Sequence, residues 1–80
     1  MAGMQPKDLV KLSEVRIIAA SGEARRIRHA SRLSSDQIAR TVGVSGVTVV
    51  RWELGQRSPS GEAALRYFDL LDRLRKVTAP

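Results

Sequence analysis

The sequence predicts an all-α fold, a compact bundle of five helices with a helix-turn-helix at its centre. Two observations support this prediction. Apolar residues recur at helical spacing in five segments, and neither strand-like alternation nor a hairpin signal is found along the chain. The length of 80 residues suits one small domain, so we expect a single domain over residues 1–80.

The first helix is predicted over residues 6–21, since proline suits the first turn of a helix and Gly22 is a stop signal. Its main apolar stripe comprises Leu9, Leu12, Val15 and Ala19. Three further apolar residues lie off this stripe: Val10, Ile17 and Ile18. The helix is therefore expected to bury two faces.

A second helix is predicted over residues 23–31, with Ile27 and Ala30 directed inward. Its remaining surface carries the basic residues Arg25, Arg26, Arg28 and His29, with Arg32 just beyond it. The last helix is expected over residues 60–76, with Ser60 as its N-cap.

The helix-turn-helix is predicted over residues 34–54. Ser34 or Ser35 caps its first helix, which ends at Gly43, and Ser45 caps the second, which ends before Gly55. The inner faces of this motif require apolar residues that converge on one core, and the sequence supplies Ile38, Val42, Val44, Val49 and Trp52. Ala39 is small where the two helices approach most closely, and Gly43 suits a left-handed turn.

Positive charge is concentrated in the middle of the chain. The formal net charge is +6, and residues 25–57 contain seven arginines but two acids. This distribution indicates a surface that binds a polyanion such as nucleic acid, although a solvated charged face is an alternative explanation.

Two stretches of the motif resemble a known family. They are Leu33-Ser-Ser-Asp-Gln-Ile-Ala-Arg-Thr-Val-Gly-Val-Ser45 and Val49-Val-Arg-Trp-Glu-Leu-Gly-Gln-Arg-Ser-Pro59. Both are similar to the lambda-repressor-like (XRE-like) helix-turn-helix family of phage repressors, Cro proteins and antitoxins. The resemblance implies that the second motif helix enters the major groove of DNA. It also implies a structural ion pair between Arg28 and Glu53. The family usually has Gln where this chain has Ser35, and often Asn where it has Leu54.

The outward face of the second motif helix is the predicted base-reading surface. If Val49 and Trp52 point into the core, helical geometry turns outward Gly46, Val47, Val50 and Arg51. The two valines could contact thymine methyl groups and Arg51 could bind guanine, while Gly46 would allow close approach to DNA. The valines could instead be ordinary exposed residues or be covered by another chain.

Phosphate contacts are predicted at the starts of both motif helices and around them. The candidate residues are Ser35, Ser45, Thr48, Arg57, Arg40 and Gln56. The alternative for each arginine is a solvated side chain.

A homodimer on an inverted repeat is expected, because one small module makes few base contacts. The candidate dimer interface on the last helix comprises Tyr67, Leu70, Leu74 and Val77, with Ala64, Leu65, Phe68 and Leu71 facing the core. The first helix is a competing candidate, and both helices could instead complete a monomeric core.

These features predict a cytoplasmic, sequence-specific regulator that binds double-stranded DNA, most simply a Cro-like repressor that occupies an operator. An antitoxin with the same core and a protein-interaction module without specific DNA binding are the alternatives. We expect no enzyme, cofactor or metal site, since the chain has one histidine, no cysteine and no nucleophile paired with a base. No apolar run approaches the length of a membrane span.

Overall fold

The computed structural model describes residues 3–79, which form five α-helices without a strand. The helices are α1 (Pro6–Ala20), α2 (Glu23–Ala30), α3 (Ser35–Val42), α4 (Gly46–Glu53) and α5 (Gly61–Thr78). The predicted all-α class and all five helical segments are confirmed, with ends that differ by at most two residues. Residues 1, 2 and 80 of the predicted domain lie outside the described part of the chain.

Serine side chains define where the two motif helices begin. The Ser34 hydroxyl accepts a hydrogen bond from the Gln37 backbone N–H at 3.1 Å, and the Gln37 side-chain oxygen accepts one from the Ser34 N–H at 2.9 Å. This reciprocal pair makes Ser34, and not Ser35, the cap of α3. Ser45 caps α4 by accepting from the Thr48 N–H at 3.1 Å. Both caps satisfy first-turn donors that a helix leaves unpaired.

The core lies where all five helices meet. Its buried apolar residues are Val15, Ile18, Ala19, Ala24, Ile27, Ile38, Ala39, Val42, Val49, Trp52, Ala64, Tyr67 and Leu71. The predicted core residues of the two motif helices are thus buried, and Val44 packs against them from the turn. The Trp52 and Tyr67 rings pack with centroids 4.8 Å apart, which joins α4 to α5.

Helices α1 and α5 run antiparallel. The Arg16 Nε donates to the Pro59 carbonyl at 2.8 Å near one end of the pair, and Lys11 forms a 3.5 Å ion pair with Asp69 further along. The pairing leaves one side of α1 uncovered. None of the helices within residues 3–79 combines the length and apolar content needed to cross a bilayer.

Burial assignments predicted for three of the helices are wrong in part. In α1 the buried residues are Val15, Ile18 and Ala19, while Leu9, Val10 and Ile17 are exposed, so the helix buries one face and not two. In α2 the buried residues are Ala24 and Ile27, while Ala30, the last residue of the helix, is exposed. In α5 the buried residues are Ala64, Tyr67 and Leu71, at spacing i, i+3, i+7. Phe68 packs against this core as predicted, whereas Leu65 does not belong to it.

Candidate DNA-binding surface

One side of helix α4 is buried in the core, and the opposite side is exposed to solvent. Val49 is 0% exposed and Trp52 is 3% exposed, so the inner side is fully packed. On the outer side Val47 is 59% exposed and Val50 is 39% exposed, and Arg51 is also exposed. The structure therefore brings three of the four predicted base-reading residues onto one accessible face.

Leu54 extends this accessible face and is not among the site residues predicted from the sequence. It is 58% exposed at the C-cap of α4, in helical backbone geometry, seven residues after Val47. Residues seven apart share a helix face, so the spacing alone could have placed Leu54 beside Val47. The outer face of α4 thus comprises Val47, Val50, Arg51 and Leu54.

Gly46 does not point outward as predicted. A Cβ atom at position 46 would point toward α3 and collide with the Asp36 carboxylate. Glycine at this position therefore allows the first turns of α3 and α4 to approach each other. The arrangement also puts the Asp36 charge at the positive end of α4, where an anion is stabilised by the helix dipole.

The predicted ion pair between Arg28 and Glu53 is present and bidentate. Arg28 donates from Nε to Glu53 Oε2 at 2.7 Å and from Nη2 to Oε1 at 3.0 Å. The two side chains are 14% and 4% exposed, and Arg28 Nη1 also donates to the Leu33 carbonyl at 3.1 Å. The hydrogen bond to Glu53 outweighs burial and raises the pKa of Arg28 above its ordinary value. This pair fixes the end of α4 against α2 and the α2–α3 turn.

Tyr67 lies beside this pair in the interior. Within residues 3–79 its hydroxyl has no hydrogen-bond partner, although the oxygen is buried. Burial raises the pKa of Tyr67 well above its ordinary value, and the negative charge of Glu53 adds to the shift while Arg28 opposes it. Tyr67 is therefore neutral at physiological pH and packs as a core residue.

The predicted phosphate-binding residues occupy different parts of the motif surface. Ser35 is the first residue of α3 and is partly buried, whereas the Ser45 and Thr48 hydroxyls lie 2.9 Å apart at the start of α4. Gln56 and Arg57 follow α4 and are exposed. Their backbone N–H groups donate to the Arg51 carbonyl at 2.9 and 3.3 Å, so only their side chains are available to a ligand.

Arg40 has a structural explanation of its own. It is exposed in the last turn of α3, where a positive charge is favourable at the negative end of the helix dipole. Its charge therefore stabilises α3 whether or not it contacts phosphate.

The predicted dimer stripe on α5 is shorter than expected. Tyr67 is 1% exposed and belongs to the core, which is a correction, because its ring packs on Trp52. Leu70 and Leu74 are partly buried against the core, and Val77 is 80% exposed. Helix α1 offers a second apolar surface made of Leu9, Val10 and Ile17.

A family model described as a helix-turn-helix domain matches residues 19–79, which contain α2 to α5 and the end of α1. No curated protein and no solved structure matches the chain. The matched segment includes the capped helix pair, the Arg28–Glu53 pair and the outer face of α4. The chain therefore belongs to the helix-turn-helix domain family, and its α3–turn–α4 unit is the type of motif with which DNA-binding regulators enter the major groove.

Proposed function

We propose that the protein is a sequence-specific regulator that binds double-stranded DNA and blocks transcription by occupying an operator, in the manner of a Cro-like repressor. The proposal rests on the difference in burial between the two sides of α4. Val49 and Trp52 bury its inner side, while Val47, Val50 and Arg51 are accessible on the outer side. An α-helix fits the major groove of B-DNA, where base edges can be distinguished.

Each accessible residue of α4 has a chemical role in this proposal. Arg51 carries two donors that match the O6 and N7 acceptors of guanine. Val47 and Val50 offer apolar surface for thymine methyl groups, which lie in the same groove. A binding site in which a guanine is flanked by thymines is the simplest expectation.

Phosphate contacts would hold α4 in register. First-turn N–H groups at Ser35 and Ser45, the Thr48 hydroxyl, and the exposed side chains of Gln56 and Arg57 are the groups we assign to this role. Arg40 would add a weaker contact. These groups provide affinity that is independent of sequence and falls with salt.

The mechanism is steric and needs no catalysis. We expect a homodimer on an inverted repeat, with half-sites about 34 Å apart, one turn of the duplex. Two apolar surfaces could form the dimer, the Leu70, Leu74 and Val77 stripe of α5 or the exposed side of α1. Light scattering of the protein with and without its DNA site would establish the stoichiometry.

Selection of binding sites from random duplex DNA at two salt concentrations tests the proposal. Enrichment of one inverted repeat at both salt concentrations would support specific binding by a symmetric pair. The proposal is wrong if no sequence is enriched over the starting pool, or if high salt abolishes every difference between selected and scrambled duplexes.

A further inference from the structure

Arg32 carries a positive charge that no acid of the described chain neutralises. Residues 25–57 contain two acids, Asp36 and Glu53. Glu53 is paired with Arg28, and the Asp36 carboxylate lies at the first turn of α4. Arg32 is exposed, and no carboxylate within residues 3–79 lies within ion-pair distance of its guanidinium.

The backbone at Arg32 has a conformation that favours glycine. Its φ is 58°, and it is the one non-glycine residue of the described chain with a positive φ. The turns at Gly22, Gly43 and Gly55 use glycine for this conformation, because a Cβ makes the left-handed region unfavourable. At this turn the chain has arginine, although a glycine would be less strained.

Hydrogen bonds around Arg32 maintain that conformation. Its N–H donates to the His29 carbonyl at 3.0 Å, and the Leu33 N–H donates to the Arg28 carbonyl at 3.2 Å. These two bonds form the Schellman pattern that ends a helix with a left-handed residue. The Leu33 carbonyl, in turn, accepts from Arg28 Nη1, so the backbone that follows Arg32 is tied to the Arg28–Glu53 pair.

Arg32 therefore lies in a well-defined turn, two residues before the Ser34 cap of α3 and linked through Arg28 to the end of α4. The first turn of α3, which Ser34 caps, lies against the first turn of α4 through Asp36 and Gly46. We propose that the Arg32 guanidinium binds a DNA backbone phosphate at the edge of the half-site, and that this contact offsets the conformational strain of its position. The inference rests on the proposed DNA-binding function and adds a contact residue to it.

Three substitutions separate the loss of charge from the flexibility that glycine introduces. Arg32→Gly removes the charge and the side chain, Arg32→Asn removes the charge and keeps a side chain that tolerates positive φ, and Arg32→Lys keeps both the charge and the strained backbone. Arg75→Gln is the matched control, since Arg75 is exposed in the last turn of α5, outside the motif, and the change also removes one positive charge. The probe is a mixed-sequence oligonucleotide duplex titrated at stepped salt concentrations.

We expect Arg32→Gly to raise Tm by about 4 °C, because left-handed strain is relieved. The same variant should bind the duplex about fivefold more weakly per protomer at about 0.15 M salt, with a salt slope smaller by about 0.9. Arg32→Asn should lose as much affinity, whereas Arg32→Lys and Arg75→Gln should keep the wild-type slope.

An unchanged salt slope in Arg32→Gly would overturn the inference, provided that the wild-type protein binds the duplex. A loss of affinity in Arg32→Gly that Arg32→Asn does not share would also overturn it, because chain flexibility would then explain the loss. An equal loss of affinity in Arg75→Gln would have the same consequence. A wild-type protein that binds no duplex at any salt concentration would overturn the proposed function itself.

Discussion

Glu53 at the end of α4 accepts two hydrogen bonds from Arg28 of α2, at 2.7 and 3.0 Å, while its side chain is only 4% exposed. A carboxylate buried to this extent is stable only with a charged partner. Because Glu53 follows the buried Trp52 directly, the pair holds the end of the helix whose outer face we assign to DNA.

We expect Glu53→Gln to lower the free energy of unfolding by about 3 kcal/mol, because it leaves the Arg28 charge largely buried without a counter-charge. Urea denaturation followed by the fluorescence of Trp52, the only tryptophan, measures this. Asp72→Asn is the matched control. It breaks the 3.4 Å pair with Lys76, which is more exposed, and should cost less than about 0.5 kcal/mol. Equal losses in the two variants would contradict the structural role of Glu53.

We expect Tyr67→Phe to raise the free energy of unfolding by about 1 kcal/mol, since the Tyr67 hydroxyl is buried without a partner in the described chain. The ring would keep its packing on Trp52. Thermal unfolding of both proteins at neutral pH provides the comparison. A clear loss of stability in Tyr67→Phe would mean that the hydroxyl is satisfied, for example by a bound water.

The raised pKa of Tyr67 predicts a pH dependence at the alkaline end. Above pH 10, the ordinary pKa of tyrosine, the unfolded chain loses the Tyr67 proton while the folded protein keeps it. The stabilisation is therefore present below pH 10 and is lost as the pH rises further. Tyr67 is the only tyrosine, so tyrosinate absorbance reports its ionisation directly. Tyr67→Phe should show a weaker fall in stability over the same range. Ionisation near pH 10 without unfolding would refute this prediction.

Gly46→Ala tests the contact between the first turns of α3 and α4. Alanine is preferred to glycine in a helix by about 1 kcal/mol, but here its Cβ would collide with the Asp36 carboxylate. We therefore expect Gly46→Ala to stabilise the Asp36→Ala variant and not the wild type. A double-mutant cycle of unfolding free energies measures the coupling. If the effects of the two changes on the unfolding free energy are additive, the Asp36 side chain moves away from the new Cβ without loss of stability.

Arg51→Ala should relax the preference for one base pair in each half-site, with a loss of discrimination of about 1 to 3 kcal/mol. Binding to the selected site and to variants with single changes gives the preference. Arg57→Ala is the control, because a phosphate contact should weaken all sites alike. If Arg51→Ala weakens binding to all of these sites equally, Arg51 contacts phosphate and does not read a base.

The valines of α4 can be tested by changing the DNA instead of the protein. Replacing a contacted thymine by deoxyuridine removes one methyl group. Binding should become about fourfold weaker, because burial of one methyl group contributes about 0.8 kcal/mol. The same replacement should have little effect on a variant in which Val47 and Val50 are alanine. An equal effect on both proteins would exclude these side chains as the contacts.

The sequence by itself determined the helical segments, the Ser45 cap, the Gly43 turn and the apolar residues of the motif, and it limited the cap of α3 to Ser34 or Ser35. Serine caps and the glycine turn act through local hydrogen bonds and backbone preference. The spacing of Ile38, Val42, Val49 and Trp52 defines two buried faces without knowledge of the partner. The pairing of Arg28 with Glu53 was expected from the family resemblance and is found in the structure.

Only the tertiary structure decided which face of each outer helix is buried. In α1 and α5 apolar residues occur on more than one side, so the pattern permits several rotations. In α5 the buried side is the one on which the Tyr67 ring packs on Trp52, and in α1 it is the side with Val15, Ile18 and Ala19. The direction of Gly46 toward Asp36 and the free charge of Arg32 likewise depend on contacts between helices. Local rules act within a few residues, whereas these features arise from elements that meet only after folding.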